Sequence, residues 1–299
     1  MNIESDLTLA IQEALQSAGD NEAIREIAPV GGGDINEAAR IETAESRYFV
    51  KWNAHPPAKM FEYEAHGLTL IAASKTAQVP QVIAYGTVRG KETAFLILEW
   101  IDRETTASEK AAEALGRQLG EMHRQPHPKY GLNENNYIGR LVQSNTPHQS
   151  WVEFYHTERL GTQRDLAARN GRLPAYRARL LDSLMDNLSC WINEDACSPS
   201  LLHGDLWGGN WMSATDGNPI LIDPAAYCGD REIDLAMTTL FGGFPQRFYE
   251  AYNEVFPLQD AYKKREPLYQ LYYLLCHLNL FGESYGGSVD SVLRRYVTS

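Results

Sequence analysis

LLHGDLWGGNW, residues 201–211, brings a histidine, an aspartate, an asparagine and two tryptophans together between apolar flanks. Asp205 and Asn210 are both common turn residues, and His203 fits a buried, hydrogen-bonded histidine equally well. An HxD triplet also suits a metallohydrolase that binds its metal through histidine and aspartate. Taken alone, the stretch therefore leaves a turn, a metal site and a core histidine open.

A second aspartate, further along the chain, adds a chemical interpretation. Asp223 follows Asn210 by thirteen residues and lies in the apolar-flanked segment LIDP. An HGD-x4-N stretch followed by such an aspartate is typical of a phosphoryl-transfer loop. In that interpretation Asp205 accepts the proton of the attacking hydroxyl, while Asn210 and Asp223 hold Mg2+ through oxygen atoms, which this hard cation prefers.

A lysine and a glutamate upstream favour a kinase over a metallohydrolase. Kinases carry a lysine on an early strand and a glutamate on the next helix, because this pair orients the α- and β-phosphates. Lys51 ends the strand pattern YFVK, and Glu64 shares a helical face with Phe61 and Leu68. A carboxylate on an apolar face is costly unless it is paired. We therefore expect Glu64 to pair with Lys51; the alternative is a solvated glutamate beside an extended lysine.

Two further segments have the composition of nucleotide-binding elements. The run GGGDINEAAR places Gly31, Gly32 and Gly33 between two strand patterns, where backbone N–H groups could approach phosphate oxygens closely. Hairpin loops are often glycine-rich as well, so this signal is weak by itself. The stretch FLILEWID has the profile of an adenine-binding hinge, with backbone groups of Glu99 and Ile101 facing the base.

Charge and composition limit the possible partners. The chain has 299 residues and a net charge of −12, which opposes binding to nucleic acid and to anionic membranes. Its N-terminus has no signal peptide pattern and no apolar run long enough to span a membrane. The four cysteines lack the spacing of a zinc site. We expect a cytoplasmic monomer without nucleic-acid or membrane partners.

The order of secondary-structure patterns predicts an α+β fold with two lobes. A leading helix over residues 3–18 precedes strand patterns, a helix over residues 58–74, and two more strands. Beyond residue 101 the patterns are mostly helical, with a loop up to about residue 149 and a helix over residues 151–160. The predicted division is a small antiparallel-sheet N-lobe, residues 1–101, and a larger helical C-lobe, residues 102–299.

The chain resembles the fructosamine kinase (ketosamine-3-kinase) family, a branch of the aminoglycoside-phosphotransferase and protein-kinase-like fold. The resemblance covers nearly the whole chain and is most specific in LLHGDLWGGNW. It is supported by RYFVKW, MFEYEAHGL, NYIG, WVEFYHTERL, LIDPAAYCGDREIDLAM and HLNLFGESY. It implies a protein-kinase-like fold that uses ATP and Mg2+. Some relatives carry a redox-sensitive cysteine in the phosphate loop, and this chain has none there.

The resemblance also implies roles for individual residues. Asp205 would be the catalytic base, with Trp207 beside the sugar, and Asp234 would brace the catalytic loop together with His203. The other implied residues are the Mg2+ ligands Asn210 and Asp223, the phosphate-orienting pair Lys51 and Glu64, and, near the acceptor pocket, His277 and Asn279.

The expected activity is ATP-dependent phosphorylation of the sugar 3-hydroxyl of ketosamines, the Amadori products of an amine and a sugar. The resemblance implies that the 3-phosphate then eliminates and frees the amine, which is deglycation repair. The alternative within kinases is transfer to another small amino-alcohol or to an aminoglycoside. A metal-dependent phosphohydrolase and a non-catalytic nucleotide-binding protein are the alternatives outside that class.

Overall fold

An antiparallel sheet forms the first part of the fold. We describe it from a computed structural model. The described residues are 5–31, 35–106, 108–242 and 244–297. Within them the sheet has five strands in the order β1-β2-β3-β5-β4, and all neighbouring strands are antiparallel. The strand bounds are β1 Glu26–Pro29, β2 Glu37–Glu42, β3 Arg47–Asn53, β4 Val82–Thr87 and β5 Ala94–Glu99.

The two faces of this sheet are covered by different helices. α1, Ser5–Ser17, packs on the face that carries the buried residues Val50 and Ile97. α2, Met60–Ser74, packs on the opposite face against Leu96 and Leu98. Because side chains alternate along a strand, Lys51 of β3 lies on the α2 face. The sheet therefore turns this lysine toward the helix that carries Glu64.

The rest of the chain is mainly helical and surrounds the long helix α9. The helix bounds are α3 Glu109–Arg124, α4 Trp151–Phe154, α5 Thr162–Arg169, α6 Ala175–Asp186, α7 Glu232–Leu240, α8 Gln246–Val255, α9 Tyr262–Phe281 and α10 Gly286–Val297. After α4 the chain continues as a π-helical turn, Tyr155–Gly161, where the sequence predicted one regular helix. The α+β class and the mainly helical second part are confirmed.

Three two-stranded antiparallel sheets complete the described second part of the fold, and two of them, β6–β7 and β9–β10, are hairpins. Their strands are β6 Asn136–Ile138, β7 Leu141–Gln143, β8 Ser200–Leu202, β9 Trp211–Ser213, β10 Pro219–Leu221 and β11 Tyr227–Gly229. β8 pairs with β11, and β9 pairs with β10, so that the loops at residues 203–210 and 222–226 lie side by side. The β6–β7 hairpin lies where the sequence predicted only a loop, because three-residue strands leave almost no periodicity to detect.

The connection between the two parts runs from the end of β5 to the start of α3. The predicted division after residue 101 lies inside this connection and stays a prediction. A bidentate ion pair joins β3 to this connection. The Arg47 guanidinium of β3 donates to both carboxylate oxygens of Asp102, and Trp100 Nε1 donates to the same carboxylate at 3.0 Å. No helix among the described residues is long and apolar enough to cross a bilayer.

Candidate active site

The loop between β8 and β9 contains a histidine that is bonded on both ring nitrogens. His203 is fully buried, and its Nε2 lies 2.9 Å from the carbonyl oxygen of Ile222. The Asp205 N–H donates to Nδ1 at 3.3 Å, so the ring proton belongs on Nε2. Burial lowers the pKa of His203, which keeps the ring neutral. His203 is therefore a structural histidine. It joins residues 203–210, the predicted catalytic loop, to the segment before Asp223.

Asn210 ends the same loop and is bonded to its first half. Its Nδ2 donates to the Asp205 backbone oxygen at 2.8 Å and to Asp205 Oδ2 at 3.1 Å. Its own backbone oxygen accepts the Ile222 N–H at 3.0 Å. Because the amide nitrogen faces Asp205, the amide oxygen of Asn210 points away from that carboxylate. The loop thus presents a carboxylate and an amide oxygen in different directions.

The Asp205 carboxyl is poised to exchange a proton near neutral pH. Burial raises its pKa to about 7, and the nearby Asp223 carboxylate acts in the same direction. The hydrogen bond from Asn210 opposes this shift by stabilising the ionised form. A carboxylate with a pKa close to the working pH is suited to accept a proton from a hydroxyl group.

Asp234, at the start of α7, holds the loop through its backbone. This side chain is fully buried. Its Oδ2 accepts the His203 N–H at 2.7 Å, and its Oδ1 accepts the Gly204 N–H at 2.8 Å. Gly204 has φ +82°, and a Cβ there would lie 2.1 Å from the backbone oxygen of Ala225. Only glycine therefore allows the loop to approach residues 222–226 this closely.

Lys51 contacts two carboxylates, and the region between these groups and the loop at residues 203–210 is called the cleft below. Its Nζ contacts Glu64 Oε1 on α2 and lies 2.8 Å from Asp223 Oδ1. The lysine side chain is 7% exposed, and Glu64 is 12% exposed. Burial opposes the charged form of Lys51, but the two carboxylates outweigh it and raise the pKa. Burial raises the pKa of Glu64 to about 7, with Lys51 opposing this shift.

Asp223 occupies an unusual backbone conformation. Its φ is +53°, in the left-handed region that non-glycine residues rarely adopt. Its side chain is 48% exposed, so the carboxylate faces the cleft as well as Lys51. Although the loss of water around the carboxyl opposes ionisation, Lys51 holds the pKa of Asp223 below its usual value. Strained backbone of this kind persists where the surrounding structure holds it, and it is common at functional sites.

The structure describes only part of the predicted nucleotide-binding elements. Gly31 is exposed, while Gly32 and Gly33 lie outside the described residues. The N–H of Glu99 donates to the Gln81 backbone oxygen at 2.9 Å. Ile101 has no backbone pairing within the described part of the chain. The contact of the Glu99 and Ile101 backbone groups with a base stays a prediction.

The three predicted acceptor residues do not share one environment. Trp207 is 42% exposed and its indole covers Gly209, where an added Cβ would lie 2.3 Å from the ring. His277 lies on α9, and its ring centroid is 4.5 Å from that of Phe241. Asn279 is buried, and its Nδ2 donates to the Gln163 backbone oxygen at 2.9 Å.

Asn279 lies on a different side of α9 from His277, and the acceptor role of both residues stays a prediction. Positions two apart on a helix differ by about 200° in direction, so Asn279 and His277 face different directions. Tyr273, one turn before His277 on α9, donates its hydroxyl to the Gly204 backbone oxygen at 3.2 Å. His277 is therefore on the loop side of α9, whereas Asn279 packs toward α5.

Sequence reasoning missed a second histidine beneath the loop. His123, in the last turn of α3, is fully buried, and its Nε2 lies 3.2 Å from Asp234 Oδ2. Its Nδ1 lies 3.0 Å from the Tyr252 hydroxyl, and burial lowers its pKa. A single histidine on an apolar helical face gives no sign of such a partner. Only its position beside two hydrophobic residues, Leu119 and Met122, indicated that it would be buried.

Comparison with known proteins identifies the family. The model of the fructosamine kinase family matches residues 7–299. The chain belongs to the fructosamine kinase family. It is 41% identical over 273 residues to a probable ketoamine kinase of Lactiplantibacillus plantarum, which covers 91% of this chain and 95% of that protein. It is 36% identical over 290 residues to the chloroplastic protein-ribulosamine 3-kinase of Oryza sativa subsp. indica, covering 96% and 83%.

Solved structures agree with this family membership. The putative fructosamine-3-kinase of Thermobifida fusca superposes with a TM-score of 0.86 at 33% identity, and the match covers all of both chains. A thermostable mutant of aminoglycoside phosphotransferase APH(4)-Ia, solved with AMP-PNP and hygromycin B, superposes with a TM-score of 0.64 at 14% identity, covering 97% of this chain and 99% of that one. This second likeness shows the fold, which is protein-kinase-like. The chain thus shares its architecture with both solved proteins.

Proposed function

We propose that the protein is an ATP-dependent kinase that phosphorylates the sugar 3-hydroxyl of ketosamines. The observation that carries the proposal is the convergence of Lys51, Glu64 and Asp223 beside the loop that holds Asp205 and Asn210. These residues come from the sheet, from α2 and from two loops of the helical part. Such a set supplies a phosphate-orienting cation, a metal-binding carboxylate and a base on one cleft.

Lys51 binds the phosphates of ATP in this proposal. Its pairing with Asp223 and Glu64 keeps the ammonium charged in a buried place, where burial alone would lower the pKa of the lysine. The backbone carbonyl of Glu99 and the N–H of Ile101 contact the adenine base. The aminoglycoside phosphotransferase of the same fold was solved with AMP-PNP bound, which supports a nucleotide in this cleft.

Asp223 and Asn210 would hold Mg2+. The fit rests on the chemistry of the two side chains. The Asp223 carboxylate is 48% exposed, and the amide oxygen of Asn210 is free for a cation because its amide nitrogen faces Asp205. Oxygen donors of this kind suit Mg2+, which takes few protein ligands. When bound, the cation neutralises charge on the phosphates and on the transferring group. The negative protein field makes such neutralisation necessary, since the chain has a net charge of −12.

Asp205 orients the 3-hydroxyl of the sugar and receives its proton. The bond from the γ-phosphorus to the oxygen that bridges it to the β-phosphate breaks, while a bond from the sugar oxygen to phosphorus forms. The proton of the hydroxyl moves to the Asp205 carboxylate. Phosphoryl transfer needs mainly positioning and charge stabilisation, so the two backbone hydrogen bonds from the loop to Asp234 support the reaction by holding Asp205 still.

The acceptor side of the cleft suits a sugar linked to a cationic amine. Trp207 exposes part of its indole, which can stack on a sugar or contact an ammonium group, worth about 0.5–2 kcal/mol. His277 lies on the side of α9 from which Tyr273 contacts Gly204 of the catalytic loop. The names of two relatives, a probable ketoamine kinase and a protein-ribulosamine 3-kinase, agree with a ketosamine substrate.

The cellular role that follows is deglycation. A ketosamine 3-phosphate loses inorganic phosphate by β-elimination, and hydrolysis of the remaining sugar–amine product by water releases the amine, so the reaction would remove sugars from free or protein-linked amines. We propose that the protein acts in the cytoplasm as a monomer and uses neither nucleic acid nor membranes as partners. The oligomeric part of this proposal is checked by the mass of the purified protein in solution.

An ATP-consumption screen tests the substrate. Purified protein is assayed with ribulosamine, erythrulosamine and fructosamine derivatives of one amine, and with choline and an aminoglycoside as controls. The proposal predicts turnover of at least one ketosamine above both controls and a product that carries phosphate on O3. Turnover of choline or the aminoglycoside alone would refute the ketosamine proposal. Phosphoester hydrolysis without nucleotide would favour a phosphohydrolase instead.

A further inference from the structure

The segment 223–226, which begins with Asp223, is bonded on both sides. On the side before Asp223, Ile222 is bonded to His203 and Asn210 of the catalytic loop. On the side after it, the Ala225 N–H donates to the His203 backbone oxygen at 2.9 Å. These hydrogen bonds to the catalytic loop leave the backbone oxygens of Ala225 and Ala226 to other partners.

Two further hydrogen bonds to the segment come from the β6–β7 hairpin. Gln143 Nε2 donates to the Ala225 backbone oxygen at 2.9 Å, and Asn136 Nδ2 donates to the Ala226 backbone oxygen at 2.8 Å. Gln143 is 1% exposed and Asn136 is 7% exposed. Two buried amides of one hairpin thus bind two consecutive carbonyl groups that directly follow Asp223 and Pro224.

These amides are themselves held in one orientation. Gln143 Nε2 also donates to Asn136 Oδ1 at 2.8 Å, and Gln143 Oε1 accepts the Tyr272 hydroxyl at 2.9 Å. Asn145 Nδ2 donates to Asn136 Oδ1 at 2.8 Å, while Asn145 Oδ1 accepts from Arg159 at 2.9 Å. A flipped amide would place donor against donor, so the network aims both nitrogens at the segment.

The opposite side of the segment meets the helix that carries Glu64. An added Cβ on Gly67 of α2 would lie 3.4 Å from both Pro224 Cγ and Ala226 Cβ. The hairpin also contacts α2, because the ring centroid of Tyr137 lies 6.0 Å from that of Tyr63, and the Tyr137 hydroxyl donates to the backbone oxygen of Ala58, just before the helix, at 3.0 Å. The segment after Asp223 is thus enclosed between the hairpin and α2.

We propose that Gln143 and Asn136 are positioning residues that hold segment 223–226 so that the Asp223 carboxylate points at the metal and at Lys51. The left-handed backbone of Asp223 needs such support, since a free aspartate would relax to an ordinary conformation. Partners that orient a metal ligand are worth about 10- to 100-fold in metal affinity or activity when they are lost. This inference rests on the proposed function, in which Asp223 is a metal ligand.

The test compares Gln143→Met with Tyr272→Phe. The first removes both donors of the amide at nearly constant volume, and the second removes one bond to the same amide but leaves its bond to Ala225. Mn2+ binding to the full-length protein with ADP is measured by electron paramagnetic resonance, and nucleotide affinity is measured separately in the presence of EDTA. Thermal unfolding of each variant shows how much stability was lost.

The expected result for Gln143→Met is a 10- to 100-fold weaker Mn2+ affinity, with nucleotide affinity in EDTA changed less than about 3-fold. Tyr272→Phe should keep Mn2+ affinity within about 3-fold even if it unfolds at a lower temperature. Equal Mn2+ affinity in Gln143→Met and wild type would overturn the positioning role. Asp223→Asn separates the two ideas: wild-type Mn2+ affinity in that variant would instead overturn the metal-ligand proposal.

If Gln143→Met does not fold, Asn136→Ser provides the same comparison from the other amide. A serine at this position is too short to reach the Ala226 carbonyl but fills part of the space with a polar group. The same loss of Mn2+ affinity is expected, and a folded Asn136→Ser protein with wild-type Mn2+ affinity contradicts the inference.

Discussion

Replacing Asp234 by asparagine tests how the catalytic loop is held. The wild-type carboxylate accepts two backbone N–H groups, from His203 at 2.7 Å and from Gly204 at 2.8 Å. Asparagine has nearly the same shape but only one accepting oxygen. One of the two N–H groups would then face the amide NH2, donor against donor, in a place that water does not reach.

The size of the effect follows from these two bonds. A hydrogen bond to a charged acceptor contributes about 1.5–3 kcal/mol, and a buried donor left without a partner costs a similar amount. If this energy is lost where Asp205 is held for reaction, about 1.4–3 kcal/mol corresponds to a 10- to 150-fold lower kcat. The KM for ATP should change little, since Lys51 and the hinge do not contact Asp234.

Steady-state kinetics with a ketosamine substrate measure this prediction. The matched control is Asp290→Asn, which changes another buried aspartate that is bonded to Arg177, between α6 and α10. The control should lower the unfolding temperature but keep kcat within about 3-fold of wild type. The reasoning fails if Asp234→Asn is folded and has wild-type kcat, or if both variants lose activity equally.

Three further predictions concern the same cleft. Lys51→Met should lower kcat by about 10²- to 10³-fold, because one phosphate-stabilising cation is removed; a smaller loss than about 10-fold in steady-state assays would contradict its role. Because burial raises the pKa of Asp205 to about 7, kcat/KM should decrease below pH 7 as the carboxylate becomes protonated. A kcat/KM that stays constant between pH 5 and 8 would argue against Asp205 as the base. Gly204→Ala should yield little folded protein because its Cβ would lie 2.1 Å from a backbone oxygen, whereas Gly208→Ala, with open space around its Cβ, should unfold within a few degrees of wild type in a thermal melt.

Residues that carry charge into an apolar environment could be predicted from the sequence. Glu64 is expected to meet Lys51 because the glutamate lies on an apolar helical face, where an unpaired carboxylate is costly. The structure brings them together and adds Asp223 as a third member. Local spacing also indicated Asp205 and Asn210, since both belong to one short loop. The pairing of Lys51 with Glu64 is confirmed, whereas the roles of Asp205 and Asn210 stay predictions.

The parts that sequence did not reveal depend on contacts between distant segments. Gln143 and Asn136 lie in strands of three residues, and their partners are backbone carbonyls more than 80 positions away. The contact with Asp234 connects His123 to the candidate site, and spacing along the sequence does not reveal that contact. Asn279 was assigned to the acceptor pocket by resemblance, although the helical repeat already places it opposite His277.

Phosphate transfer by Asp205→Asn tests the central claim most directly. Wild-type protein and this variant are incubated with ATP, Mg2+ and a ketosamine, and the phosphate attached to the sugar is measured by mass spectrometry. Loss of the base should lower kcat by about 10²- to 10⁴-fold. In the same samples the variant should bind ATP as wild type does, and at pH 8 it should unfold at a higher temperature. Folding raises the pKa of the Asp205 carboxyl, so ionisation at that pH destabilises the wild-type protein. Transfer to the ketosamine at the wild-type rate by Asp205→Asn would contradict the account.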